Sequence, residues 1–178
     1  MCDDLLEHEP NNWWRGVHEA GHAIAAWSLG GAVSHIEARR THCNSLTPAS
    51  RVVVACAGEI AEQLLGNADI RGCGSDVDHR RDAVEQLRRV DGEAEATRVD
   101  GTAETRATEL VQQQIDALTA LACRIGNLIH GSAALGNNQL SGADAAEIAR
   151  GCWSGDLPAP LVAPRRGVAG QTGCRITR

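Results

Sequence analysis

The stretch WWRGVHEAGHAIAAWSLGG, residues 13–31, decides more of the fold of this chain than any other. Its apolar residues Val17, Ala20 and Ile24 recur at intervals of three and four positions, which is the spacing of one face of an α-helix. The two asparagines after Pro10 suit the start of such a helix, and the two glycines that close the stretch would end it. The stretch therefore predicts an amphipathic helix with one face in the core.

Most of the remaining chain also predicts helices. The chain has no Phe and no Tyr, so its core must come from Leu, Ile, Val and Ala, a mixture that suits closely packed helices. Gly58 would cost a helix ~1 kcal/mol, and we interpret its presence as a sign of a close helix crossing. Residues 91–104 are acidic and rich in small side chains, which favours a mobile connection or a frayed helix end. The further predicted helices cover residues 50–66, 75–90, 107–129 and 141–151.

A small β element is expected after the first helix. Residues 33–38 alternate apolar and polar side chains, as a half-buried strand does, and we expect this strand to lie at an edge where its backbone could align an extended peptide. Residues 41–49 are rich in turn formers and predict a loop, and a second strand would fall within residues 33–46. The predicted fold class is therefore mainly α. One domain over residues 1–151 and a flexible, proline-containing tail over residues 152–178 are expected.

Composition limits the partners of this chain. A net charge of -6 argues against nucleic acid, because phosphate binding needs a clustered excess of positive charge. No apolar run approaches the ~20 residues that cross a bilayer, which predicts no direct membrane insertion. The acidic start lacks the pattern of an export signal, and seven cysteines without a CxxC pair favour reduced thiols. These features predict a cytoplasmic location.

Residues 18–22 read His-Glu-Ala-Gly-His inside the first predicted helix. His18 and His22 are four positions apart, so both imidazoles lie on one helical face and can bind a single Zn²⁺. Glu19 lies beside the metal without binding it, where it can take a proton from zinc-bound water. The HExxH pattern therefore predicts Zn²⁺ as cofactor, His18 and His22 as ligands and Glu19 as the catalytic residue.

A catalytic zinc needs a third protein ligand and an open position for water. The residue types alone do not choose among the carboxylates, the imidazole and the thiol that follow the motif. The candidates are Glu59, Glu62, Cys73, Asp76, Asp78 and His79.

The chain resembles the peptidase domain of the FtsH family of ATP-dependent zinc proteases over roughly residues 13–150. Three segments carry the resemblance: HEAGHAIAAWSLG, AGEIAEQLLG and GCGSDVDHRRDA. Matched position by position, it implies that Asp76 is the third zinc ligand. It also matches Glu62 with an acidic residue of the family, either as a group that orients a ligand histidine or as a surface residue.

The resemblance implies a zinc-dependent metalloendopeptidase that cleaves flexible or unfolded polypeptide by Glu19-assisted attack of zinc-bound water. The sequence has no GxxxxGK[ST] phosphate loop and no lysine, so ATP-driven unfolding would need a separate ATPase partner. A homo-oligomer is also left open. With no tyrosine to stabilise an oxyanion, an arginine, one of His35, His42 and His79, or the metal alone would serve. The alternative is a catalytically silent, zinc-stabilised module that binds peptides or regulates a partner, which a fourth protein ligand such as Cys73 or His79 would favour.

Overall fold

A computed structural model describes residues 10–37, 39–66, 74–135 and 139–155 of the chain. These described residues form six α-helices and three short β-strands. In chain order the elements are α1 (Pro10–Ser28), β1 (Ala32–Glu37), β2 (Arg40–Asn44), α2 (Pro48–Leu64), α3 (Gly74–Asp91), α4 (Glu93–Gln113), α5 (Ile115–Leu135), β3 (Gln139–Ser141) and α6 (Gly142–Arg150). The predicted fold class, mainly α with a small β element after the first helix, is confirmed.

Helix α1 lies in the middle of the helices, packed between α5 and α2. On the α5 side, a Cβ atom added to Gly16 would lie 2.5 Å from the carbonyl oxygen of Ala122. On the α2 side, a Cβ atom added to Gly21 would overlap the carbonyl oxygen of Ala57. Both close contacts exclude a larger side chain, so the helix that carries the HExxH motif is fixed by backbone contacts on two sides.

Most of the segment 91–104, predicted to be mobile or frayed, is helical instead: Asp91 ends α3, and residues 93–104 form the first half of α4. Gly92 turns the chain between α3 and α4 with a φ of 92°, a conformation that costs glycine little. Beyond it Ala96, Val99 and Ala103 are buried at helical spacing, and α4 packs on α2. The prediction was wrong because small apolar residues between acids give a weak pattern, although their size suits close helix packing.

The predicted single helix over 107–129 is two helices, α4 and α5, that meet at Gln114. The Gln114 side chain is buried, and its amide donates to the Ser154 carbonyl oxygen at 2.9 Å. The Ser154 backbone N–H donates back to Gln114 Oε1 at 2.8 Å. A buried glutamine that bonds a distant backbone segment marks the break, and periodicity alone cannot reveal such a partner.

The first part of the predicted tail lies against the helices. The Trp153 ring meets Trp27 edge-on, with ring centroids 6.4 Å apart. Residues 156–178, the rest of the predicted tail, lie outside the described residues. Among the described helices, none combines the length and apolar character that crossing a bilayer requires.

The three strands form an antiparallel sheet in the order β2-β1-β3. The strand predicted at 33–38 is observed as β1, but its expected edge position is wrong because β3 covers the side that β2 leaves free. Residues 41–44, predicted as part of a loop, belong to β2, an edge strand next to α1. The second strand expected within residues 33–46 is thereby confirmed. The pairing of β1 with β3 joins segments far apart in sequence, so no local pattern predicts it.

Candidate metal centre

Helix α1 presents His18 and His22 side by side, with their Nε2 atoms 3.1 Å apart. Gly58 of α2 lies opposite them. A Cβ atom added there would lie 2.7 Å from the Nε2 atoms of both imidazoles. The sequence interpretation of Gly58 as a helix crossing is therefore refined: the backbone crossing falls at Gly21, and Gly58 provides the space that the two imidazoles fill.

Asp76, in the first turn of α3, completes the group. Its Oδ2 atom lies 2.8 Å from His18 Nε2 and 3.3 Å from His22 Nε2. Ligands bound to zinc at about 2.0–2.1 Å in a tetrahedron lie about 3.3–3.4 Å apart. The three predicted ligands thus converge at separations close to those of a zinc site, and they form one of the groups among the described residues that could hold a metal ion.

The other candidates for the third ligand lie elsewhere or outside the described residues. Asp78 is exposed and pairs with Arg81 at 2.8 Å. His79 is also exposed, although it lines the cavity described below. Glu59 accepts a hydrogen bond from a neighbouring glutamine on the surface of α2. Cys73 lies outside the described residues.

The outer ring nitrogen of each histidine is held by α2. His22 Nδ1 lies 2.8 Å from the carbonyl oxygen of Val54. Because a carbonyl oxygen only accepts, Nδ1 carries the proton and the neutral ring keeps its Nε2 lone pair for a metal. His18 Nδ1 lies 2.8 Å from Glu62 Oε1, which imposes the same orientation. Of the two roles left open for Glu62, the geometry favours that of a group that orients a ligand histidine.

The hydrogen bonds within the site favour the protonated form of His18 and the ionised form of Asp76. Burial would lower the pKa of His18, but hydrogen bonds to Asp76 and Glu62 outweigh it and raise that pKa to about 10. Burial would raise the pKa of Asp76, but hydrogen bonds to His18 and His22 lower it well below its usual range. Without a metal, His18 therefore keeps the proton between its Nε2 atom and Asp76, and a divalent cation would have to displace that proton.

Glu19 is buried beside these ligands and does not belong to the converging group. Its Oε2 atom lies 2.7 Å from Thr41 Oγ1, and the Thr41 hydroxyl also lies 2.9 Å from the Glu19 backbone oxygen. The single hydroxyl proton can be donated to one of these acceptors at a time. Sequence reasoning missed Thr41, because it fell within the predicted loop and its partner is on another element.

A cavity of about 450 Å³ opens next to the site. Its walls include all of the predicted site residues and part of β2, and among its lining residues are Arg39, Arg40, Arg51 and His79. These are the basic groups available to an oxyanion there. His35 and His42, the other histidines considered for that role, are not among the lining residues and stack on each other instead, with ring centroids 3.9 Å apart.

Cys43 also lines the cavity, but its environment keeps the thiol protonated. Burial raises its pKa to about 12, and the nearby charge of Glu19 acts in the same direction. Since the thiolate is the form that binds metals, Cys43 is a poor candidate for a fourth ligand.

Neither a scan against protein-family models nor a search of curated proteins finds a match for this sequence. The resemblance to FtsH-type peptidases therefore stays a prediction from the sequence segments that carry it. Function is inferred below from the residues of the site and their geometry.

Proposed function

We propose that this chain is a zinc-dependent endopeptidase of the FtsH type that cleaves flexible or unfolded polypeptide. His18, His22 and Asp76 would hold the metal, and Glu19 would act as the general base. The observation that carries the proposal is the position of Glu19, a buried carboxylate that is oriented by Thr41 next to three converging ligand atoms. A structural zinc site has no use for such a carboxylate.

The donor set suits zinc. Two imidazoles and one carboxylate are typical of catalytic sites, which keep the fourth position open. Gly58 leaves room for both imidazoles. The contacts that their Nδ1 atoms make with α2 then direct the two Nε2 atoms toward one point. When bound, Zn²⁺ would supply a Lewis acid that polarises the peptide carbonyl and makes a water molecule more acidic.

Glu19 would accept the proton of the attacking water and pass it to the leaving amine nitrogen. The hydrogen bond from Thr41 fixes the carboxylate before substrate arrives, so less orientational freedom is lost in the transition state. Thr41 acts through Glu19 and is a positioning residue. Arg39, Arg40, Arg51 and His79 are the groups near enough to the cavity to stabilise the developing oxyanion.

Strand β2 offers a way to bind an extended substrate. It is an edge strand of the described sheet, and its residues Thr41, Cys43 and Asn44 line the cavity. A peptide that pairs with an edge strand is held by main-chain hydrogen bonds, which need no particular side-chain sequence. The peptide-aligning role predicted for residues 33–38 is therefore reassigned to β2, since β1 is paired on both sides.

The test is cleavage of a casein-like unfolded chain by zinc-loaded protein, compared with Glu19→Gln. We expect this variant to keep its metal and fold but to lose about 10²–10⁴-fold in turnover, because an amide cannot accept the proton. Glu59→Gln is the matched control, since it makes the same change at an exposed position of α2. A Glu19→Gln protein as active as the wild type would refute the mechanism. A zinc-loaded wild type inert toward every flexible substrate would favour the silent binding module.

A further inference from the structure

A second group of metal-binding residues lies on the β1–β2 hairpin, apart from the site just described. The pairing register places His35 of β1 directly opposite His42 of β2. Their rings stack with an angle of 21° between the planes. Glu37 lies two positions after His35, so its side chain leaves the same face of the sheet. Glu37 Oε1 lies 3.4 Å from His35 Nε2 and 3.6 Å from His42 Nε2.

The protonation of His35 leaves a lone pair directed at Glu37. The Ser34 hydroxyl donates its proton to the His42 carbonyl oxygen at 3.2 Å. Ser34 Oγ can therefore only accept from the His35 ring, whose protonated Nδ1 atom lies 3.1 Å from it. With the proton on Nδ1, the neutral ring has an unprotonated Nε2. Two acceptors, His35 Nε2 and Glu37 Oε1, then face each other across 3.4 Å. Such a pair is favourable only when a cation, either a second proton on Nε2 or a metal ion, lies between the two atoms.

His42 points to the same conclusion independently. Its Nε2 atom is shielded from solvent and has no hydrogen-bond partner among the described residues. The nearest carboxylate oxygen, at 3.6 Å, is beyond hydrogen-bonding distance. A buried polar atom without a partner is rare in proteins and needs an explanation such as an ion.

We propose that His35, Glu37 and His42 form a second site for a divalent transition metal of the zinc type. Their separations of 3.4 and 3.6 Å are close to the ~3.3–3.4 Å edge of a tetrahedral zinc site. Two imidazoles and one carboxylate select zinc and its neighbours rather than calcium or magnesium, which prefer oxygen ligands. The Glu37 side chain is half exposed, so water can complete the coordination.

A metal there would stiffen the strand that supports the first site. Thr41 is adjacent to His42 on β2 but is paired with Ile36, which is buried in the core, so it faces the opposite side of the hairpin. Fixing the register of β1 against β2 would fix the hydroxyl that contacts Glu19. The metal site itself does not depend on the proposed peptidase activity.

The test is the number of Zn²⁺ and Co²⁺ ions bound by chelator-treated full-length protein, followed by elemental analysis and by the visible spectrum of Co²⁺. We expect about two strongly bound equivalents in the wild type and about one in His42→Ala. His18→Ala should also retain about one. Glu147→Gln is the control, an exposed carboxylate on α6 outside both groups, and should keep two.

Two milder variants keep the proposal testable if His42→Ala does not fold. Glu37→Gln, at a half-exposed position, should weaken the second equivalent alone. Ser34→Ala should weaken it by about 10–100-fold by releasing His35 from its hydrogen bond. The proposal is overturned if these variants bind the same metal with the same affinity as the wild type, or if the wild type binds a single equivalent that His18→Ala abolishes.

Discussion

Replacing Gly58 by alanine tests whether the two histidines fill the space against α2. The new Cβ would lie 2.7 Å from the Nε2 atoms of His18 and His22, against an ordinary contact of about 3.5 Å. The imidazoles must therefore move by about 0.8 Å, whereas zinc ligands tolerate about 0.2 Å. We expect zinc affinity to fall by at least about 10–100-fold.

The matched control is Gly101→Ala on α4, where an added Cβ meets nothing within 4 Å. Alanine should stabilise that helix by about 1 kcal/mol and raise the Tm by about 2–4 °C without changing metal binding. At Gly58 the same gain is offset by about 1–3 kcal/mol of overpacking. Thermal unfolding of the metal-free proteins and zinc titration against a chromophoric chelator measure both effects. A Gly58→Ala protein that binds zinc like the wild type would refute the placement of the imidazoles.

Three further predictions concern the same site. Thr41→Val should keep zinc but lower kcat/KM by about tenfold, because it removes a hydrogen bond worth about 1.5 kcal/mol to Glu19, and Thr41→Ser should restore activity. Asp76→Ala should weaken zinc binding strongly while Asp78→Ala should not; equal effects in chelator titrations would show that the third ligand is misassigned. Zinc binding should release a proton, because the pKa of His18 in the metal-free protein is raised to about 10 and the ring is protonated below that value. Apparent affinity should then rise with pH, by about tenfold per unit between about pH 6 and 8, and calorimetry in buffers of different ionisation enthalpy measures the proton.

The first helix and the face that carries His18 and His22 were predictable, because the pattern that determines them lies among neighbouring residues. Helical periodicity sets the face, and the spacing of His18 and His22 places both rings on it. The position of Asp76 near them was predicted from the resemblance to a family, not from the residues themselves. Its placement within 2.8 Å of His18 Nε2 agrees with that prediction but depends on how α3 packs, which no local pattern encodes.

The groups that orient the site were not predictable in the same way. Thr41 contacts Glu19 only because β2 runs beside α1. A second strand was expected within residues 33–46, but residues 41–44 were assigned to a loop because their polar side chains lack a clear alternation. The role of Glu62 depends on which face of α2 meets His18, and the sequence left it undecided. The pairing of His35 with His42 depends on an irregular register between Val33 and His35, which shifts the faces of the strand.

In the proposed metal site, Asp76 would do more for helix α3 than supply a ligand atom. Only Ala83 and Leu87 are buried along its length, so little apolar surface holds it to the rest of the molecule. A metal bound by Asp76 would tie its first turn to α1, and loss of the metal would leave α3 as the segment that opens most easily. Hydrogen exchange along α3 would then report metal occupancy, and a cell that withholds zinc would expose this helix to degradation before the core unfolds.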